Sequence, residues 1–159
     1  MAKNRRKRSG RLSKPEYQSY IFRIEEWEPS YSFALNDGRH FEGSYREHLD
    51  LSLKGAFLSP AKAKDRGAML TLLADRRETL SVTDPASCDR KPLCVGTLTI
   101  RGDRTDYLGS LPYDAMWGLI SLLSCGAIRM LNLHGRALYR GEAKIRSMHF
   151  ARDIDPEDW

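Results

Sequence analysis

The pairing of an imidazole with a carboxylate two residues away, His48 and Asp50 in "EHLDLSL", is where this chain comes nearest to acid–base chemistry. Both fall on the polar side of an alternating run, so the carboxylate could hold the imidazole in one tautomer, as catalytic and metal-bound histidines require. Any strand with one wet face shows the same alternation, and that plainer reading prevails. The other histidines, His40, His134 and His149, offer no HExxH spacing. Ser110 in "YLGSLPYDA" stands where a strand would pass into a helix, the setting of a nucleophile elbow. Leu108 and Pro112 occupy the two glycine positions of GxSxG, so capping of the helix explains this serine better. Cys88, Cys94 and Cys125 are odd in number and form no CxxC, which points to free thiols in a reducing compartment. Arg101-Gly102-Asp103 spells an adhesion tripeptide, but a hairpin turn accounts for all three residues. Neither GxxxxGK nor GxGxxG occurs. No catalytic residue, metal or cofactor is expected from these patterns, and an enzyme is the less favoured class.

Charge carries the remaining signal. Residues 1–14 of "MAKNRRKRSGRLSKP" hold Lys3, Arg5, Arg6, Lys7, Arg8, Arg11 and Lys14 with no acid, a local charge of +7, whereas the whole chain is only +5. Basicity is therefore a property of the arm, and the rest of the chain is close to neutral. Without apolar periodicity, residues 1–15 are expected to be disordered when free. Seven cations on such an arm can follow the phosphate backbone of DNA or RNA. If all engaged a duplex, log affinity against log salt would have a slope on the order of −6, with little discrimination between bases. Lys62, Lys64, Arg66, Arg76 and Arg77, or Arg140, Lys144 and Arg146, could extend that surface. A solubilising leader without a partner is the competing reading of the arm. The other end, residues 152–159, is an acidic tail.

The elements that must position these residues are mostly strands. "YIFRIEEW" alternates Tyr20, Phe22 and Ile24 against Ile21, Arg23 and Glu25, Glu28 and Pro29 interrupt it, and Tyr31, Phe33 and Leu35 resume it. "NDG" at Asn36–Gly38 is a hairpin signal. Leu49, Leu51, Leu53 and Phe57 share one strand face, and "AMLTLLA" is read as another strand. From Asp75 to Pro92 the chain is a polar excursion. "VGTLTIRGDRTDYLGSL" forms a hairpin turned at Gly102-Asp103. One helix follows, capped by Ser110, with Pro112 in its first turn and Gly126 at its end, and with Met116, Leu119, Ile120 and Leu123 on one face beside Tyr113 and Trp117. Two or three further strands turn near His134-Gly135. Ala143 and Ile145 fall on one parity and Met148 and Phe150 on the other, which predicts a bulge or twist near Ser147. The expected fold is mainly β: a single domain over residues 16–151, an antiparallel β-sandwich or open barrel of about seven or eight strands with one main helix on the sheet.

At 159 residues, 41% hydrophobic, the chain suffices for one core. The longest uncharged run, Ala115 to Ile128, has 14 residues, short of the roughly 20 that span a bilayer, and no apolar stretch follows the basic arm as an export signal needs. A cytoplasmic, membrane-free protein is the expectation. "YIFRIEEWEPSYSFALNDGRHFEGSYREH", "VGTLTIRGDRTDYLGSLPYDAMWGLISLL" and "LHGRALYRGEAKIRSMHF" resemble small alphaproteobacterial proteins with no assigned activity, a likeness running from about Tyr20 to Phe150. The resemblance implies a bacterial, cytoplasmic setting and transfers no site residue. The leading functional expectation is a non-enzymatic binding module that meets nucleic acid through its arm. The alternatives are a protein-interaction subunit anchored by Trp27, Tyr31 or Trp159, and a small-ligand or hydrolytic β-domain using His48 and Asp50.

Overall fold

The computed structural model describes residues 16–35, 45–75 and 95–155. Seven strands, β1 (Tyr17–Leu35), β2 (Tyr45–Ser59), β3 (Gly67–Asp75), β4 (Gly96–Arg101), β5 (Arg104–Pro112), β6 (Met130–Arg136) and β7 (Glu142–Ala151), and one helix, α1 (Tyr113–Ser124), make up the fold. The strands close into a barrel in the order β1-β2-β3-β5-β4-β7-β6. All neighbours are antiparallel except β3 and β5, which run parallel. The mainly β reading with one helix on the sheet thus holds. Closure makes it a barrel instead of a sandwich and pairs every strand on both sides somewhere along its length, which removes most of the unsatisfied edges of an open sheet.

The interior is filled by side chains. Leu49, Leu51, Leu53 and Phe57 of β2 are all buried, as the two-residue period requires. They meet Tyr20 and Phe22 of β1, Leu70 and Leu72 of β3, Leu98 of β4, Tyr107 of β5, and Leu131 and Leu133 of β6. The Phe22 and Phe57 rings lie 5.1 Å apart. Burial pushes the Tyr20 phenol up to about 12, from 10.0 for a free tyrosine. The fold thereby favours the protonated form, so this contribution is complete below pH 10 and is lost as the pH rises through 10 towards 12. Urea denaturation in steps across that range should show stability falling, and Tyr20→Phe should flatten the fall. The same variant loses the hydrogen bond that Tyr20 donates to the Arg136 carbonyl at 3.0 Å, on the order of 1 kcal/mol at neutral pH.

Four local expectations need correction. Glu28 and Pro29 do not break β1, which runs unbroken through 19 residues. What looks like an interruption is a change of phase: Ile24 pairs with Gly55 and Glu26 with Lys54, so Glu25 is an extra residue, a bulge that moves the inward positions from Tyr20 and Phe22 to Trp27, Pro29, Tyr31 and Phe33. Proline is accommodated at position 29 because β6 pairs with β1 only over Tyr17–Arg23, leaving β2 as the neighbour there. Ser110 does not cap α1; it lies within β5 opposite Leu73, and Pro112 precedes the helix with no side-chain cap. Gly126, with φ 69°, ends the helix as expected. The chain does not turn at His134-Gly135: β6 passes straight through, and Ala137–Gly141 connects it to β7.

The bulge expected near Ser147 is present one residue earlier. His134 pairs with Ser147 and Gly135 with Ile145, so Arg146 is the extra residue. Gly135 permits this pinch, because a Cβ there would lie 2.3 Å from the Lys144 carbonyl oxygen. In the β4–β5 hairpin, Arg101 pairs with Arg104 across Gly102-Asp103, and Gly102 adopts φ 55°. The Arg-Gly-Asp run is therefore a turn with glycine where positive φ is needed. Beyond β7, Ile154 packs on the outer face of the barrel against Ile21 and Met130.

Candidate nucleic-acid interface

The strand directions decide which loops share an end of the barrel. β1 begins at the same end at which β6 finishes, since Tyr17 pairs with Arg136. The β2–β3 connection, the β4–β5 turn and the β6–β7 connection emerge there too, by the registers of their strands. Arg66 in the first donates a hydrogen bond to the Gly102 carbonyl in the second. The opposite end carries α1, whose Met116, Leu119 and Leu123 are buried in the core.

This topology sorts charge that is scattered in sequence. Lys62, Lys64 and Arg66 come from the β2–β3 connection, and Arg101 and Arg104 flank the β4–β5 turn. Arg136, Arg140, Lys144 and Arg146 come from the end of β6, its connection and the start of β7. Among the described residues these nine cations face five carboxylates at the same end, those of Glu16, Asp65, Asp103, Asp106 and Glu142. A body that is near neutral by count is therefore polarised, with its basic pole where residues 1–15 join β1. Among the described residues Arg101 is partly neutralised by Glu142 at 2.6 Å and Arg104 by Asp106. Lys144 donates to Thr97 Oγ1 at 3.0 Å.

Aromatic rings are interleaved with these cations. The Tyr17 ring stacks on His134, with centroids 6.0 Å apart and planes 13° from parallel. The Arg146 guanidinium stands 5.1 Å from the Tyr17 centroid, within cation–π range. It reaches that ring from the bulge, which re-aims the side chain out of the strand's normal alternation. His134 is held from its other side by Ser19, whose Oγ is hydrogen-bonded to Nδ1 at 3.1 Å. In the next connection Arg140 lies 5.3 Å from the ring of Tyr139, which is 70% exposed. Rings that offer a flat face beside cations suit unpaired bases and their phosphates.

No protein-family model, curated protein or solved structure matches the chain. Its chemistry must therefore be read from its own geometry.

The sequence-derived candidates fare unevenly. Lys3, Arg5, Arg6, Lys7, Arg8, Arg11 and Lys14 lie outside the described residues, as do His40, Arg76, Arg77, Cys88, Cys94, Trp159 and the Asn36–Gly38 turn. Lys62, Lys64, Arg66, Arg140, Lys144 and Arg146 are brought to one end, although Arg140 sits in the connection and not on the strand. His48 and Asp50 do meet, Nε2 to Oδ1 at 3.2 Å, but His48 is 53% exposed on an outer strand face. Neither residue lines the apolar groove of about 360 Å³ between α1 and β7 or the groove of about 350 Å³ over β3, β4 and β5. An imidazole–carboxylate contact at the surface is what this geometry gives. Cys125 is an exposed thiol after α1. Trp27 is not an exposed anchor, because it packs against the core, whereas Tyr31 is half exposed. Sequence reasoning missed Tyr17, His134, Arg136 and Tyr139. The only advance signal was the parity change near Ser147, which located the bulge without saying what its extra residue would reach.

Proposed function

We propose that the protein is a non-enzymatic nucleic-acid-binding module in which the arm and the basic pole act together. The observation that carries this reading is the Arg146–Tyr17–His134 stack at the root of the arm, beside Arg136 and Arg140. Seven arm cations supply salt-dependent attraction to phosphate, and the rings at the root favour single strands whose bases can leave the stack. Among the described residues the barrel interior is filled by packed side chains, which favours recognition at the surface. Among the described residues no helix is long and apolar enough to cross a membrane.

Fluorescence anisotropy with labelled single-stranded DNA and RNA tests the pole directly. Arg146→Gln should weaken binding several-fold and reduce the salt slope by about 1. Tyr17→Ala should weaken it by a similar factor through lost stacking and a released Arg146, with less change in slope. Unchanged affinity in both variants would show that the barrel end takes no part.

A further inference from the structure

The outer face of the barrel carries a groove beside the basic pole. On β3, β4 and β5 the core takes Leu70, Leu72, Leu98 and Tyr107, so alternation turns Met69, Thr71, Thr97, Thr99, Asp106 and Leu108 outward. The registers set these six in two rows across the three strands: Thr71, Leu108 and Thr97 in one, Met69, Asp106 and Thr99 in the other. Together with Arg104 they line the groove of about 350 Å³. Met69 and Leu108 are 49% and 55% exposed. Two large apolar side chains on a polar sheet face offer a flat ring a place to lie, and a thioether sulfur favours an aromatic ring in particular.

The groove adjoins the stack at the root of the arm. Its first row continues into β7, where Lys144 pairs with Thr97 and donates to the threonine Oγ1 at 3.0 Å. Arg146, beside the Tyr17 ring, follows two residues later on β7. From Lys144 to Leu108 is two strand spacings, about 10 Å. A single strand that lays its phosphates along Lys144 and Arg146 therefore brings a base over the groove, within the span of a site of about four nucleotides.

The polar groups of the groove determine which base it takes. Arg104 Nε donates to Asp106 Oδ2, which leaves Oδ1 as an acceptor. A carboxylate repels phosphate but accepts from an exocyclic amino group. Thr97 Oγ1 already accepts from Lys144, so its O–H is the part that can donate to a ring nitrogen or carbonyl. Cytosine and adenine carry an amino group; thymine and uracil carry a carbonyl oxygen in its place, which would face the carboxylate with no proton between them. We infer that this groove is a base-reading subsite for single strands, taking cytosine or adenine in preference to thymine or uracil, with Asp106 making the distinction. The inference rests on the nucleic-acid reading of the pole and adds to it a base preference that phosphate contacts do not supply.

Anisotropy titrations of the full chain with labelled oligo(dC) and oligo(dT) of equal length test this, because equal length gives both the same phosphate charge. Oligo(dC) should bind about fivefold more tightly or better. Asp106→Ala should bring the ratio of the two affinities to about one; it also releases Arg104, which strengthens both oligonucleotides together and leaves the ratio readable. Leu108→Asp, at an exposed position outside the core, should weaken oligo(dC) several-fold. Equal affinities in the intact chain, tighter binding of oligo(dT), or a preference that survives Asp106→Ala would each overturn the inference, and the pole keeps its role if Arg146→Gln still weakens both. Should neither Arg146→Gln nor deletion of residues 1–14 change the binding of either oligonucleotide, the nucleic-acid reading itself fails and the subsite falls with it.

Discussion

Deleting residues 1–14 should reduce affinity for a single-stranded oligonucleotide by about a hundredfold or more near 50 mM salt, and should leave a residual salt slope of about −2 to −3. The intact chain, with the arm and the pole both engaged, should show a slope of about −6 or steeper. The residual term belongs to Arg136, Arg140, Arg146 and their neighbours at the basic pole, which the deletion does not touch. Anisotropy titrations at four or five salt concentrations measure both numbers, and circular dichroism confirms that the shortened chain is folded. A truncated protein that binds as tightly as the intact one, with an unchanged slope, would remove the arm from the function. One that ignores polyanions altogether would confine binding to the arm and deny the pole a part.

The largest expected effect on stability comes from a glycine pair. Gly96 of β4 and Gly109 of β5 stand opposite one another. The buried Tyr107 ring lies across both: a Cβ at Gly96 would be 2.2 Å from its Oη, and one at Gly109 would be 2.3 Å away. Tyr107 cannot retreat cheaply, since it is 1% exposed and its hydroxyl donates to Met148 Sδ at 3.2 Å. The Gly96 Cβ would also meet the Leu108 carbonyl oxygen at 2.7 Å, so backbone must give as well. Gly96→Ala should therefore destabilise by about 3 kcal/mol, a fall in Tm of roughly 9 °C at about 3 °C per kcal/mol. Combining it with Tyr107→Leu should lose less than the sum of the two single variants, because the second change empties the space the methyl group needs. Thermal melts followed by circular dichroism supply all three values, and additive losses would mean that the ring is not what the glycine accommodates.

Much of the fold was legible because it follows from local alternation. The β2 leucines, the β4–β5 turn and the buried stripe of α1 each show their period within a few residues. Even the bulge at Arg146 left a trace, since Ala143 and Ile145 cannot share a face with Met148 and Phe150 without an extra residue between them. The same logic explains the misreading at Glu28-Pro29. What reads as a break in the sequence is a slip of phase, with the extra residue at Glu25, three positions earlier. Gly135 was misread as a turn because glycine signals both turning and close approach, and here it serves the second. Ser110 was misread because the helix starts two residues later than a serine cap would place it. The candidate surface was the least legible part. Arg66, Arg101, Arg136 and Arg146 share one end only after the barrel has closed, and no spacing within the chain encodes that.

The joint between Tyr17–Arg23 and Met130–Arg136 bears on kinetics. It unites the first strand with the sixth, so the barrel cannot zip shut until nearly the whole polypeptide is available, and a closure of such long sequence separation is slow. Tyr17, Arg136 and Arg146 sit on the three strands that meet at this joint. A polyanion bridging them would act as a clasp across the last part of the molecule to assemble and would retard its unravelling. Occupancy would thus lengthen the lifetime of the folded barrel as well as report on its charge.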